Sequence, residues 1–235
     1  RQMCIRDRPA ALSRMAAAAE RLRPLAHRSA TSATVYLSAP QPGWPEEHPR
    51  SRSLTSSVET VAYDLLPADD ALRMLYGSEV LLEFLAEVLG ADRLYRYADP
   101  FGAVNLATMV AGDELGWHFD QTDFVTSIAI AAPEDGGAFE VAAQVRGPDE
   151  ENYDGVRAVL DGDRSTVTHV EFRPGALMLF AGRNSLHRVT PVIGQRARHV
   201  ALLAYDTRPG TDSTDELKLA RYGRLPAPSD QETAR

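Results

Sequence analysis

Cysteine is almost missing: the chain of 235 residues holds one, Cys4, so no internal disulfide can form and a reducing, cytoplasmic home is expected. Lysine is equally scarce, with Lys218 alone beside 24 arginines, and acids outnumber cations 33 to 25 for a net charge of -8. No basic field is available to collect phosphates, which argues against nucleic acid as a partner. Long apolar runs are lacking too. Stretches such as 200–204 fall far short of the roughly 20 residues that cross a bilayer, so no membrane partner is expected. Nor does a charged start followed by an apolar stretch mark a secretion signal.

What remains is the composition of an ordinary globular protein, 44% hydrophobic and 25% charged, at a length that commonly makes one β-sandwich or barrel. Residues 1–50 carry 8 arginines against 4 acids, whereas the rest carries 17 cations against 29 acids. The chain opens on Arg1 rather than Met, and residues 1–8 (RQMCIRDR) read as translated adapter sequence with the natural start lost. Residues 9–25 show an Ala-rich helical pattern, and 26–57, rich in Ser, Pro and Arg, read as a long loop with a short strand at 34–37. A helical segment at 67–90, interrupted near Gly77, presents Leu72, Leu75, Val80, Leu81, Phe84, Leu85 and Val88 as an apolar stripe. Beyond Gly90 the period becomes that of strands, at 104–110, 124–131, 138–142, 167–172, 176–180, 187–193 and 198–205. The acidic stretch 149–160 reads as a short helix, a solvated face or a lid, and everything from 206 onward as a tail. Many short strands after a helical preface predict a mainly β fold, a double-sheet jelly roll with helices packed outside. The expected organisation is an N-terminal helix and loop (1–57), a core domain with its supporting helix (58–210) and a tail (211–235), acting as a monomer or homodimer.

Chemistry concentrates in two stretches. In GWHFD, His118 and Asp120 stand two apart and point to the same side of a strand, with Phe119 turned away. Such a tripeptide alone is weak evidence. The second stretch, PGALMLFAGRNSLHRVTPV, carries an apolar strand through a polar turn to His187. Two imidazoles and one carboxylate make a facial triad that leaves three octahedral positions open, the donor set of non-haem Fe(II) oxygenases, whereas zinc is more often closed by a fourth protein ligand or holds one water. If Gly194-Gln195 turns the chain tightly, His187 faces Leu202 and Arg198 stands four residues farther along, about 13 Å away. That gap suits a five-carbon diacid held by the metal at one end and by a guanidinium at the other. Arg196 shares the face two residues more distant and ranks second.

At this point the segment 94–210 resembles the iron(II)- and 2-oxoglutarate-dependent oxygenases, in the group containing the free amino-acid halogenases and their hydroxylase relatives. The stretches that carry the likeness are LYRYADPFGAVN, GDELGWHFDQTDFVTSIAI, GGAFEVAAQVR, the His187 segment above and RHVALLAYDTRPG, with HPR at 48–50 extending it upstream. The resemblance implies a distorted jelly roll, Fe(II) on His118, Asp120 and His187, O2 as oxidant, and 2-oxoglutarate on an arginine eleven residues past the distal histidine, which is Arg198. In the halogenases of the group a small residue replaces the carboxylate and opens a site for chloride. Here Asp120 fills it, so the resemblance implies oxygen insertion with release of succinate and CO2.

Other candidates stay open at this level. Asn105 either faces 2-oxoglutarate, as the resemblance implies, or satisfies a strand edge; Trp117 either closes over the cosubstrate or packs in the core. Arg50 and Asp99, on loops beside matching segments, are candidates for the carboxylate and the amine of an amino-acid substrate. The expected function is therefore hydroxylation of a small polar metabolite, a free amino acid by resemblance. A jelly-roll protein that binds without turnover, a halogenase and a protein hydroxylase are the alternatives.

Overall fold

The computed structural model describes residues 2–4, 9–147 and 149–227. The adapter reading of 1–8 thus falls largely outside the described residues, as does the end of the tail. Fifteen strands form among the described residues: β1 (Gln2–Cys4), β2 (His27–Ala33), β3 (Leu54–Val61), β4 (Tyr95–Arg96), β5 (Val104–Met109), β6 (Leu115–His118), β7 (Val125–Ala131), β8 (Asp135–Gly136), β9 (Phe139–Ala142), β10 (Val167–Val170), β11 (Ala176–Phe180), β12 (Leu186–Val189), β13 (Val192–Ile193), β14 (Arg198–Leu203) and β15 (Tyr205–Asp206). The helices are α1 (Pro9–Leu22), α2 (Ala71–Tyr76), α3 (Glu79–Leu89), α4 (Tyr153–Leu160) and α5 (Asp215–Tyr222).

Eleven strands join one curled antiparallel sheet in the order β1-β11-β7-β14-β5-β3-β6-β12-β9-β10, with β2 added on β3. Because β3 pairs with β5 and then touches β6, the sheet folds back on itself there. A major wall (β11, β7, β14, β5) faces a minor wall (β6, β12, β9, β10), which is the jelly-roll architecture the strand pattern predicts.

Alternation along the strands sorts side chains onto three layers. Leu106, Ile128, Ile130, Ala201 and Leu203 turn outward from the major wall and pack under α1, α2 and α3 through Met15, Ala19, Leu22, Leu72, Leu81 and Leu85. Met109, Phe139, Val189 and Val192 fill the space between the walls, joined by Val58, Val141, Met178 and Phe180. Trp117, Phe119, Ala142 and Leu186 leave the minor wall on its far side and are covered by Val156 and Val159 of α4. The helices end where their sequences say they should. Asp70 and Ser78 cap α2 and α3, and Gly90 stops α3 in the left-handed conformation, at φ 65°. Among the described residues no helix is long and apolar enough to cross a membrane.

Several expectations fail, each for a visible reason. The strand expected at 34–37 is a turn closed by Leu37 N–H to Thr34 C=O, and the strand lies earlier, in β2. The Ser- and Thr-rich β2 and β3 show no clean apolar alternation, since β2 is mostly exposed and β3 is buried only at its end. The expected boundary at 57/58 consequently falls inside β3. Val80, assigned to the buried stripe, is 77% exposed. The strand expected over 187–193 breaks at Pro191, which cannot donate to a ladder. There the chain leaves the minor wall, β13 pairs with β8, and β14 joins β5 and β7. Leu202 therefore faces Asn105 and Ser127, not His187, and the hairpin register is wrong. Finally, the tail contains α5, capped by Thr214 and stopped by Gly223.

This layering predicts that Leu106→Ala, which empties a fully buried position, destabilises the fold by about 2–5 kcal/mol in urea unfolding, whereas Val80→Ala stays within about 0.5 kcal/mol of the parent.

Candidate metal and cosubstrate site

His118 ends β6 and is paired in register with His187 of β12, so the two imidazoles leave adjacent strands toward the space between the walls. Their ring centroids are 4.2 Å apart. Asp120 follows two residues on, where Phe119 N–H donates to Val35 C=O and Asp120 N–H to Gly182 C=O. The three ligand atoms lie within 4.8 Å of one another, with His187 Nε2 3.2 Å and His118 Nε2 3.9 Å from the Asp120 carboxylate.

Backbone carbonyls fix the tautomers. His118 Nδ1 is 2.7 Å from Gly116 C=O and His187 Nδ1 2.8 Å from Ser185 C=O, and since a carbonyl only accepts, each Nδ1 carries the proton. Both Nε2 lone pairs are thereby aimed at the carboxylate. Asp120 Oδ2 is buried without a hydrogen-bond partner among the described residues. Three electron-pair donors that repel one another fit a shared divalent cation, and the mix of two nitrogens and one oxygen suits non-haem iron. Burial and then the neighbouring His187 push the His118 pKa down to about 4. Burial works to raise that of Asp120, but hydrogen bonding and charge from His187, then charge from His118, outweigh it and hold the carboxyl below its usual range, the effect of a positive charge on the Nε2 side of the rings, which a bound cation would supply in place of a proton. Both groups are thus in their ligand form at neutral pH.

The surroundings are shaped to this purpose. A Cβ on Gly182 would run into the Asp120 carboxylate, so glycine is required there for close approach. Phe180 and Phe139 pack their rings on His187, at 4.9 and 5.6 Å between centroids. Phe139 also borders a small cavity lined by Ser127, Ala129, Phe172, Met178 and Arg198. Arg198 is 3% exposed, stacks its guanidinium 4.2 Å from the Phe172 ring and donates Nε–H to Gly137 C=O. No carboxylate among the described residues lies within ion-pair distance of it. Burial pushes its pKa down to about 10, which leaves it charged at neutral pH. A buried cation without a counter-ion beside a cavity is a receptor for an anion.

The remaining expected residues divide. Asn105 stands on the inner face of β5 opposite Leu202, its amide held by Gly102 C=O and by the Tyr222 hydroxyl. Asp99 is buried; Oδ1 accepts from Phe101 N–H, and Oδ2 has no partner among the described residues. Three assignments need correction. Trp117 alternates with His118 and packs beneath α4 on the outer side of the minor wall, so it does not cover a cosubstrate. Arg196 precedes β14, where strand alternation no longer applies, and ties itself to the Ala132 and Pro133 carbonyls at the surface. Arg50 is bound to the Tyr153 hydroxyl, Gln41 and Glu151 and stacks on Tyr36, on the side to which Phe119 points.

Sequence reasoning missed Gly182, Gly137, the two phenylalanines and α5. For α5 the signal was present, as Thr214 before Asp215-Glu216 and Gly223 after Tyr222 are start and stop marks of a helix.

The depressed pKa values carry a sign. Between pH 6.5 and about 4 the unfolded chain binds a proton at His118 that the folded chain refuses, so stability falls as pH drops through that window, while competition of a proton with Mn(II) at His118 sets in only as the pH nears about 4. Urea unfolding of the metal-free chain should show stability falling from pH 6.5 toward 4, while titration calorimetry with Mn(II) finds affinity nearly flat from pH 8 to about 5; affinity that falls tenfold per pH unit already below pH 6.5 contradicts the depressed His118 pKa.

With this geometry established, known proteins give the context. The halogenase D family matches residues 49–219, most of the chain. No curated protein matches it by sequence. Similar solved structures include AviO1 from Streptomyces viridochromogenes (18% identical, TM-score 0.56, 87% of each chain covered). A prolyl hydroxylase from Trichoplax adhaerens, complexed with a peptide of hypoxia inducible factor, is 13% identical with a TM-score of 0.55 over 87% of this chain and 82% of that one. A 2-oxoglutarate-Fe(II) oxygenase family oxidoreductase from Burkholderia pseudomallei is 15% identical with a TM-score of 0.51, covering 83% and 80%. The chain has the fold of the Fe(II)- and 2-oxoglutarate-dependent oxygenases and belongs to the halogenase D family.

Proposed function

We propose that the protein hydroxylates an unactivated C–H bond of a small polar metabolite, a free amino acid, using Fe(II), 2-oxoglutarate and O2. The observation that carries this reading is the carboxylate at position 120. A halogenating centre of this group has a small residue there, whereas here Asp120 is present, ionised and accommodated by Gly182. Bound Fe(II) would couple decarboxylation of 2-oxoglutarate to oxygen insertion.

The residues of the chain do the positioning. His118 and His187 offer Nε2 while their Nδ1–H groups are anchored on carbonyls, which keeps the rings from rotating. Arg198 receives the far carboxylate of 2-oxoglutarate in the cavity between the walls, and the Phe139, Phe172 and Met178 side chains keep water from that ion pair. Asn105 shares the inner face with Arg198 and is the polar candidate along the cosubstrate. Asp99, with one buried carboxylate oxygen unused, is the candidate partner for a substrate ammonium.

Purified protein with Fe(II), ascorbate and 2-oxoglutarate should release succinate together with a hydroxylated amino acid. Asp120→Ala should abolish that product. Arg198→Gln should raise the 2-oxoglutarate concentration needed by about 30-fold or more, since a buried carboxylate loses a charged partner, while Arg196→Gln should change it little. A chlorinated product from the parent protein in chloride, or near-normal hydroxylation by Asp120→Ala, overturns the reading.

A further inference from the structure

Phe172 stands at the end of the inter-wall space remote from the triad. The strand register shows this: His187 pairs with Val141 and Val141 with Thr168, and Phe172 follows four residues past Thr168, in the connection from β10 to β11. Strand β11 runs back from there until Phe180 packs on His187. Arg198 begins β14 at the same remote end, because β14 finishes with Leu203 opposite Thr126, next to the Val125 that pairs with Phe180.

Three contacts grip the Arg198 guanidinium. Its Nε–H donates to Gly137 C=O at 3.0 Å, Nη1 lies 4.0 Å from the Met109 sulfur, and the Phe172 ring centroid lies 4.2 Å from its central carbon. Gly137 closes on the aliphatic stem as well, since a Cβ there would stand 3.0 Å from Arg198 Cδ. The cavity beside the guanidinium measures about 20 Å3, room for roughly one water. Arg198 thus has no spare space into which to withdraw.

An anchor held at a fixed distance from the metal measures the length of whatever bridges the two. With its far carboxylate on Arg198, 2-oxoglutarate meets that length; a diacid one methylene longer would have to drive the guanidinium into the Phe172 ring. We infer that Phe172 is a positioning residue that fixes the depth of Arg198, and that it thereby makes the site select the five-carbon 2-oxo diacid over its six-carbon homologue. This deepens the reading above and rests on Arg198 as the anchor.

The test uses the full chain loaded with Mn(II), titrated calorimetrically with 2-oxoglutarate and with 2-oxoadipate. The parent should prefer the shorter diacid by about 10-fold or more, the discrimination that one misfitting methylene commands in a packed pocket. Phe172→Ala should bring the two affinities within about 3-fold of each other, chiefly by tightening 2-oxoadipate, and Phe172→Leu, which returns the bulk without the aromatic face, should recover most of the preference. If the alanine variant does not fold, Phe172→Val takes its place under the same criteria. No preference in the parent, an unchanged ratio in Phe172→Ala, equal loss of both diacids in that variant, or a Phe172→Leu variant that is just as unselective overturns the inference. Undiminished binding of 2-oxoglutarate by Arg198→Gln overturns the anchor itself, which separates the two failures.

Discussion

Two imidazole nitrogens and a carboxylate oxygen meet within a few ångströms, each presenting a lone pair to the others, and everything else in the structure either creates or tolerates that repulsion. The Gly116 and Ser185 carbonyls take the Nδ1 protons and so turn both Nε2 atoms inward. Burial keeps His118 neutral and its neighbours keep Asp120 ionised. Left without a cation, such an arrangement costs stability; with one, it becomes a ligand set. The walls follow from the same demand, since β6 and β12 must pair in register for the two histidines to meet, and Gly182 must lack a side chain for the carboxylate to reach them.

A second constraint runs along the major wall. Arg198 lies on the inner face of β14 with an uncompensated charge, in a cavity that the aromatic ring of Phe139 connects to His187. The proposed metal ligands come from one wall and the proposed anion receptor from the other, and on that reading the molecule that bridges them is an elongated anion with a chelating head. That description matches 2-oxoglutarate by chemistry, independently of the family to which the chain belongs.

The parts legible in the sequence were those carried by short-range pattern. Alternation placed His118 and Asp120 on one side of a strand, the Pro-Gly and Asn-Ser turns bracketed β11 and led to His187, and the leucines of α2 and α3 marked the outer layer. What failed was decided at long range. No local signal says that β14 crosses to the other wall after Pro191, so the hairpin register that selected Arg198 was wrong, although the spacing implied by the family resemblance selected the same residue. Trp117 was misassigned because its neighbour's orientation was applied without its consequence: if His118 points in, residue 117 points out. Arg50 is engaged by Tyr153 of α4, by Gln41 and by Glu151, and α5 lies in an apparently featureless tail; both facts depend on contacts distant in sequence.

The most direct test of the central claim is an anaerobic crystal structure of the chain grown with Mn(II), using anomalous scattering to locate the cation. The account predicts one ion bound by His118 Nε2, Asp120 and His187 Nε2, with no fourth protein ligand. An ion bound elsewhere, or a centre closed by an additional side chain, contradicts it.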